Sequence, residues 1–240
     1  MFHSLPVIHS SKIDRLLRVI NMSRAIKYML ISEYINKEDV MLDAELLTLG
    51  LKFHGHKCSV MPMGLRAGVA AMRALKVERS QDKELHAVGE TGERHAAGCF
   101  LDGIMTATGC TFGKGNIEKL RYHKMAFTLI DVRRQKAVRV SLKPGFFAAV
   151  LDGLFVAQRK AGVLPQDIDP WVIDPLVEKI AGLPEEQFLA IGPVVDYLFP
   201  AKKGVFEAKL CAKCGEIVFA DKLRVQGDAL VCIPCSGYGR

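Results

Sequence analysis

The first strong hydrophobic pattern along the chain begins just after residue 40. Leu42, Leu46, Leu49 and Phe53 recur at intervals of three or four residues, which places them on one face of a helix. Further apolar stretches predict helices over 62–75, 96–108 and 146–160, with short helices around 176–180 and 185–190. The basic amphipathic stretch up to residue 40 predicts a helical extension, to which we assign no chemistry.

Shorter hydrophobic runs predict strands between these helices. The segment 85–88 reads as a short strand, and 126–132 and 137–142 read as two longer ones. The polar residues 133–136 separate the last two, which indicates a β-hairpin. Helix and strand patterns together predict an α+β fold, with a mixed helix and sheet core followed by a small C-terminal unit.

Proline spacing and composition suggest four parts along the chain. We expect an N-terminal extension over 1–40 and a core with connector helices over 41–192, where several prolines punctuate the later half. A linker is expected over 193–208, and its Pro-Ala-Lys-Lys-Gly stretch is the most flexible part. The last segment, 209–240, carries a cysteine motif of its own.

Length and composition bound the class of protein. The chain has 240 residues, half of them hydrophobic, so it has room for one medium domain and one small one. No apolar run approaches the roughly 18 residues of a membrane span. Arg15, Arg18, Arg24 and Lys27 interrupt the segment where a signal peptide would need its apolar stretch. We therefore expect a cytoplasmic protein without a membrane partner.

The net charge of +7 is moderate, and the basic residues are spread along the chain. This charge is compatible with an anionic ligand or nucleic acid, but solubility alone explains it. The seven cysteines are more informative. In a reducing compartment they indicate metal ligands or reactive thiols before disulfides.

Four cysteines near the C-terminus form a regular pattern. Cys211 and Cys214 make one CxxC pair, and Cys232 and Cys235 make a second pair about seventeen residues later. This spacing is typical of a four-cysteine zinc ribbon, whose closed coordination shell has a structural role. The stretches 217–220 and 229–231 fit a small hairpin that brings the pairs together. A redox CxxC pair or a rubredoxin-like iron site are the alternatives.

The ribbon also carries basic residues that offer two interpretations. Lys209, Lys213, Lys222 and Arg224 could form a phosphate-binding stripe. They could equally be a solvated face, and we favour this interpretation because these charges are not interleaved with a series of aromatic residues that could stack on bases.

A second cluster of metal-binding residue types follows the first predicted helix. His54, His56 and Cys58 alternate, so an extended turn can place them on one side, and Cys58 precedes a predicted helix whose N-terminal dipole favours a thiolate. Cys99 and Asp102 share a helix face and could complete the set. Singly, such a histidine is more often structural and such a cysteine a small buried hydrophobe. Together they indicate a metal or thiolate site.

The segment 108–116 contains three glycines and predicts a tight loop. It is not a Walker motif, because only three residues separate Gly109 from Gly113 and Gly115 follows Lys114 where Ser or Thr is required. Lys114 either binds an anion or caps a turn.

Several motifs occur in a recognisable order. They are Phe-His-Gly-His-Lys-Cys at 53–58, Gly-Leu-Arg-Ala-Gly at 64–68, Gly-Cys-Phe-Leu-Asp at 98–102, the glycine loop at 108–116 and the strand pair at 126–130 and 138–140. Over roughly 43–143 the chain resembles the family of the E subunit of formylmethanofuran dehydrogenase, including the branch with a C-terminal zinc ribbon. One departure is Cys58-Ser59-Val60, where family members often have Cys-Pro-Gly.

The resemblance implies a dimerising α+β core with a cleft where His56, Cys58 and Cys99 bind zinc or another thiophilic metal. It places Cys110 and the glycine loop close by. The expected catalytic set is therefore His56, Cys58, Cys99, Asp102 and Cys110, with His54 and Lys114 in contact with a ligand.

The namesake enzyme is a molybdenum or tungsten complex that reduces carbon dioxide onto methanofuran. This chain shows no pterin site and no cysteine pattern for several iron-sulfur clusters, so the resemblance implies an accessory protein or subunit, or a relative with another use. Whether it is an enzyme stays open. The alternatives are a ribbon module that binds nucleic acid or a protein partner, and a hydrolase with His54 or Asp102 as base.

Overall fold

The computed structural model describes residues 41–93, 98–200 and 204–238, so the predicted N-terminal extension lies outside the described residues. The chain divides into two compact units, one ending at Leu198 and the other starting at Phe199. This division falls inside the segment 193–208 that we predicted as a linker. Within the described ranges, no helix combines the length and apolar character needed to cross a membrane.

Three helices of the first unit position the candidate site. They are α1 (Ala44–His54), α2 (Val60–Leu75) and α3 (Cys99–Thr108). Helix α1 begins where the Asp43 carboxylate accepts a hydrogen bond of 2.7 Å from the Leu46 amide. It ends at Gly55, whose left-handed backbone (φ 91°) turns the chain immediately after His54.

Helices α2 and α3 cross with their backbones in contact. A Cβ atom at Gly64 would lie 2.0 Å from the Phe100 carbonyl oxygen, and one at Gly103 would lie 2.2 Å from the Met61 carbonyl oxygen. Only glycine permits this approach at the crossing. The crossing lies near the N-terminus of each helix, and Cys58 and Cys99 stand at those N-termini. The crossing therefore keeps the two cysteines near each other.

The sheet of this unit follows the order β2-β1-β3-β4-β5, with β6 also paired to β4. Its strands are β1 (Leu85–Gly89), β2 (Ile117–Lys119), β3 (Ala126–Asp131), β4 (Lys136–Leu142), β5 (Leu189–Ile191) and β6 (Val195–Asp196). Strands β1 and β2 are parallel and the other pairs are antiparallel. The register Ala126↔Ser141 to Asp131↔Lys136 confirms the predicted hairpin. The α+β fold class is confirmed.

The connector helices are α4 (Pro144–Leu151), α5 (Leu154–Lys160), α6 (Pro170–Gly182) and α7 (Glu185–Phe188). The prediction of a single helix over 146–160 is wrong. The helix is interrupted at Asp152 and Gly153, because Gly153 adopts an extended backbone. The end of α6 is held by the buried side chain of Arg66. Its guanidinium donates to the carbonyl oxygens of Ile180, Ala181 and Leu183 at 2.7 to 3.1 Å, which satisfies groups that no helix partner reaches.

The second unit consists of two small hairpins and a short helix. Strand β7 (Ala208–Leu210) pairs with β8 (Ile217–Phe219), β9 (Leu223–Gln226) pairs with β10 (Ala229–Cys232), and α8 (Ile233–Ser236) follows. We expected 217–220 and 229–231 to form one hairpin. This is wrong, because 217–219 pairs with β7 and 229–232 pairs with β9. The hydrophobic centre of this unit is minimal and is built around Cys211, Val231 and Cys232.

Candidate metal centres

Three helix ends bring together the donors of the core cluster. His54 is the last residue of α1, His56 follows the left-handed Gly55, and Cys58 lies just before α2. Cys99 is the first residue of α3. One donor atom from each of these histidines and cysteines lies within 4.8 Å of the others. The predicted gathering of His56, Cys58 and Cys99 is therefore observed, and His54 joins it.

The separations between donors fit one small ion. The Nε2 atoms of His54 and His56 are 3.1 Å apart, and the Cys58 sulfur lies 3.6 Å from His54 Nε2. Around a tetrahedral ion with zinc-like bond lengths, two nitrogens are about 3.3 Å apart and a nitrogen and a sulfur about 3.6 Å. A metal ion between these four donors fits the cluster.

Asp102 contacts one of the donor residues, His54. His54 Nδ1 donates to Asp102 Oδ2 at 2.8 Å, and only 7% of the His54 side chain is exposed. A carboxylate on one imidazole nitrogen fixes the tautomer and leaves the other nitrogen free for a metal. We expected Asp102 as a further member of the reactive set, whereas its contact is with the His54 ring.

Binding of a cation requires the cluster to lose protons. The hydrogen bond to Asp102 is the main cause that raises the pKa of His54 to about 9. The neighbouring Cys58 thiol, and then the His54 ring, lower the pKa of Cys99 to about 5, while the Cys99 sulfur raises the pKa of Cys58. Cys99 is therefore a thiolate near neutral pH, and an incoming cation displaces the remaining protons.

Cys110 lies away from this cluster. It follows α3, which separates it from Cys99 by ten residues of helix, or about 15 Å. Its side chain is fully buried, and burial raises the pKa of its thiol to about 11. The resemblance implied that Cys110 lies close to the cluster, and this expectation is corrected because the whole length of α3 lies between Cys99 and Cys110.

The glycine loop has a structural role in the observed conformation. Lys114 Nζ donates to the carbonyl oxygens of Ser80 and Gln81 at 3.1 and 3.4 Å, so it caps a turn. The buried Asn116 side chain joins the same turn, since its amide nitrogen donates to the carbonyl oxygens of Asp82 and Leu85. The sequence offered no signal for this role of Asn116 beyond its place after a glycine-rich turn.

The second unit contains the expected four-cysteine cluster. The sulfurs of Cys211, Cys214, Cys232 and Cys235 lie within 4.8 Å of one another. Cys214 and Cys232 are 3.9 Å apart, close to the roughly 3.8 Å between sulfurs on a tetrahedral zinc-like ion. The Cys232 amide donates to the Cys211 sulfur at 3.2 Å, and backbone hydrogen bonds lower the pKa of Cys211 to about 6. The four sulfurs can hold a metal ion, and the unit is consistent with a zinc ribbon.

The basic residues of the ribbon have partners close by. Lys209 pairs with Glu207 at 3.2 Å and Lys222 with Asp221 at 2.9 Å. Lys213 Nζ donates to the Cys235 carbonyl oxygen at 3.0 Å. These contacts agree with the solvated-face interpretation.

An α+β core with a two-histidine, two-cysteine cluster, joined to a four-cysteine unit, defines a class of protein with two candidate metal centres. The model of the family described as FmdE, Molybdenum formylmethanofuran dehydrogenase operon, matches residues 53–188. The chain belongs to the FmdE family, which confirms the resemblance inferred from its motifs.

Known proteins similar to this chain include the following two. A curated protein of Archaeoglobus fulgidus, described as a probable S-adenosyl-L-methionine-binding protein, is 30% identical over 210 residues, which cover 80% of this chain and 52% of that protein. The chain thus spans about half the length of that relative. A crystal structure from Syntrophus aciditrophicus, described as a protein like the E subunit (FmdE) of tungsten formylmethanofuran dehydrogenase, is 21% identical with a TM-score of 0.47, covering 80% of this chain and 91% of that one.

Proposed function

We propose that this chain is a metal-binding accessory protein or subunit of a molybdenum or tungsten enzyme. The observation that carries the proposal is the convergence of His54, His56, Cys58 and Cys99 at separations suited to one ion. Membership of a family described by a molybdenum formylmethanofuran dehydrogenase operon supports the link to that chemistry. Zinc is the ion that best suits two imidazoles and two thiolates.

In this proposal the residues of the core cluster have distinct roles. His54, His56, Cys58 and Cys99 hold the ion, and Asp102 orients the His54 ring. Cys58 is buried, which keeps water away from its sulfur. A bound ion of this kind supplies Lewis acidity and ties together the ends of three helices.

The ribbon is proposed to hold a structural zinc ion. Its hydrophobic centre is too small to stabilise a unit that runs from Phe199 to Arg240 by burial alone, and metal ligation commonly supplies the missing free energy in such units. Four sulfurs around one ion leave no open position for a substrate.

Metal analysis of the purified full chain tests both sites. We expect about two equivalents per chain, one of which is lost in the Cys58→Ser/Cys99→Ser double variant. The matched control, Cys211→Ser/Cys214→Ser, should lose the other equivalent. A wild-type protein with a single equivalent that disappears only with the ribbon cysteines would refute the core site.

The link to a molybdenum or tungsten enzyme needs a separate experiment. We expect the metal-loaded chain to co-elute in size-exclusion chromatography with the catalytic subunits of such an enzyme, and alone to elute as a homodimer of about twice 26.5 kDa. Separate elution of the chain and those subunits at micromolar concentration would contradict the accessory role.

A second candidate is binding of S-adenosyl-L-methionine, favoured by the similarity to the Archaeoglobus fulgidus protein over 80% of this chain. Isothermal titration calorimetry of the metal-loaded chain with S-adenosyl-L-methionine tests this candidate, and a titration without heat of binding would refute it.

Nucleic-acid binding by the ribbon has weaker support, because its lysines have acidic or carbonyl partners. It predicts salt-dependent binding that Lys213→Glu/Lys222→Glu abolishes.

A further inference from the structure

The two histidines of the core cluster are held very differently. His54 belongs to α1, is almost fully buried and is fixed by the 2.8 Å hydrogen bond from its Nδ1 to Asp102. His56 lies between α1 and α2, outside both helices, after the left-handed Gly55.

Within the described ranges, the one polar contact of the His56 ring is the 3.1 Å approach of its Nε2 to His54 Nε2, so its Nδ1 has no hydrogen-bond partner there. Metal-ligating histidines normally donate the second nitrogen to a carboxylate, carbonyl or water, and loss of such a partner lowers metal affinity about 10- to 100-fold. His56 is therefore the donor with the least support.

The donors that remain without His56 form a familiar set. His54, Cys58 and Cys99 provide one imidazole and two thiolates, the ligand set of catalytic zinc sites in which the fourth position accepts water or substrate. Cys58 is buried and the His54 ring is fixed by Asp102, whereas His56 lies in the connection between α1 and α2. Displacement of His56 leaves a complete three-ligand site.

We propose that His56 is the exchangeable ligand of the core site and that a small anionic donor takes its place. This inference rests on the proposed function, since it requires a metal ion in the core.

Two helix N-termini beside the core cluster favour the approach of a small anion. The N-termini of α2, which has 16 residues, and α3, which has 10, both lie at the cluster, and their dipoles favour negative charge there. These dipoles offset part of the negative charge of the two thiolates and of Asp102, so a small anion such as azide can reach the ion.

Cobalt substitution of the full chain tests the proposal, with azide as the probe. The ribbon site is coordinatively closed, so azide-dependent changes in the visible difference spectrum report the core. We expect azide to shift the ligand-field bands of the wild-type protein and to bind His56→Ala at least about 10-fold more tightly. Imidazole should return the His56→Ala spectrum towards that of the wild type.

Metal content separates the outcomes. We expect His56→Ala and His56→Gln to retain the second metal equivalent, and the matched variants His54→Ala and Cys58→Ser to lose it. Loss of the core metal from both His56 variants, or a wild-type spectrum unchanged by azide, would overturn this inference while leaving two equivalents in the wild type. A single equivalent in the wild type would instead overturn the proposed function and this inference with it.

Discussion

Substitution of Gly103 by alanine probes the crossing on which the core cluster depends. The added Cβ would lie 2.2 Å from the Met61 carbonyl oxygen and 2.5 Å from the Leu65 amide nitrogen, whereas real Cβ contacts stay above 3.0 Å. Both obstacles are backbone atoms, so no side chain can rotate away. Helices α2 and α3 must move apart by about 0.8 Å, since 2.2 Å has to become 3.0 Å.

We expect Gly103→Ala to reduce the free energy of unfolding by about 3 kcal/mol, the upper part of the range for overpacked cores. Because the same shift separates Cys58 from Cys99, the core metal should also be lost at a lower chelator concentration. Guanidinium denaturation followed by far-UV circular dichroism measures the first effect, since the long described helices belong to this unit.

The matched control is Gly145→Ala in α4, where a Cβ meets nothing within 4 Å. There we expect a change of less than about 1 kcal/mol, set by helix propensity alone. If Gly103→Ala unfolds within about 0.5 kcal/mol of the wild type, the backbone contact between α2 and α3 is not what fixes the site.

Three further predictions concern polar contacts. Asp102→Asn should lower the affinity of the core metal about 10- to 100-fold and spare the ribbon metal, as measured by chelator competition. Arg66→Ala should cost about 3 kcal/mol in thermal or denaturant unfolding, because three carbonyl oxygens lose a buried charged donor. The Arg139 hydrogen bonds hold the pKa of Glu90 below its ordinary 4.5, so the stability they provide is present above that pH and lost as pH falls through the lower folded value. The stability gap between wild type and Arg139→Gln should therefore shrink from about pH 6 to about pH 3.

Each of these has a result that contradicts it. Equal chelator midpoints for Asp102→Asn and wild type would remove the orienting role of the carboxylate. Unchanged stability of Arg66→Ala would mean that water replaces the guanidinium at the end of α6. A gap between wild type and Arg139→Gln that is constant with pH would show that Glu90 titrates alike in both proteins.

Local patterns predicted the elements and donors that depend on a few neighbouring residues. The apolar spacing around Leu46 indicated the helix α1, although Leu49 and Phe53 of that pattern are exposed. The CxxC pairs gave the ribbon donors, since both signals act over short distances. The break at Gly153 was missed because the apolar pattern continues across it and the interruption is a backbone conformation. The position of Cys110 depends on the direction in which α3 runs, and the spacing of residues along the sequence gives no information on that direction.

The role of His54 shows the same limit at the site itself. The alternation of His54, His56 and Cys58 suggested donors in an extended turn, with His54 as a ligand contact. In the structure His54 still belongs to a helix, and the left-handed Gly55 turns the chain so that both rings face the same point. This turn of the backbone at one glycine brings His54 into the donor set.

The spacing of the core donors has a consequence for how an ion would enter the protein. Three donors lie within the five residues 54–58, so the turn alone can make first contact with an ion before distant parts of the chain meet. The fourth, Cys99, arrives only when α3 packs against α2. Ion affinity and the docking of α3 onto α2 are then thermodynamically coupled. A partly folded chain in which α3 has not docked would exchange its ion freely.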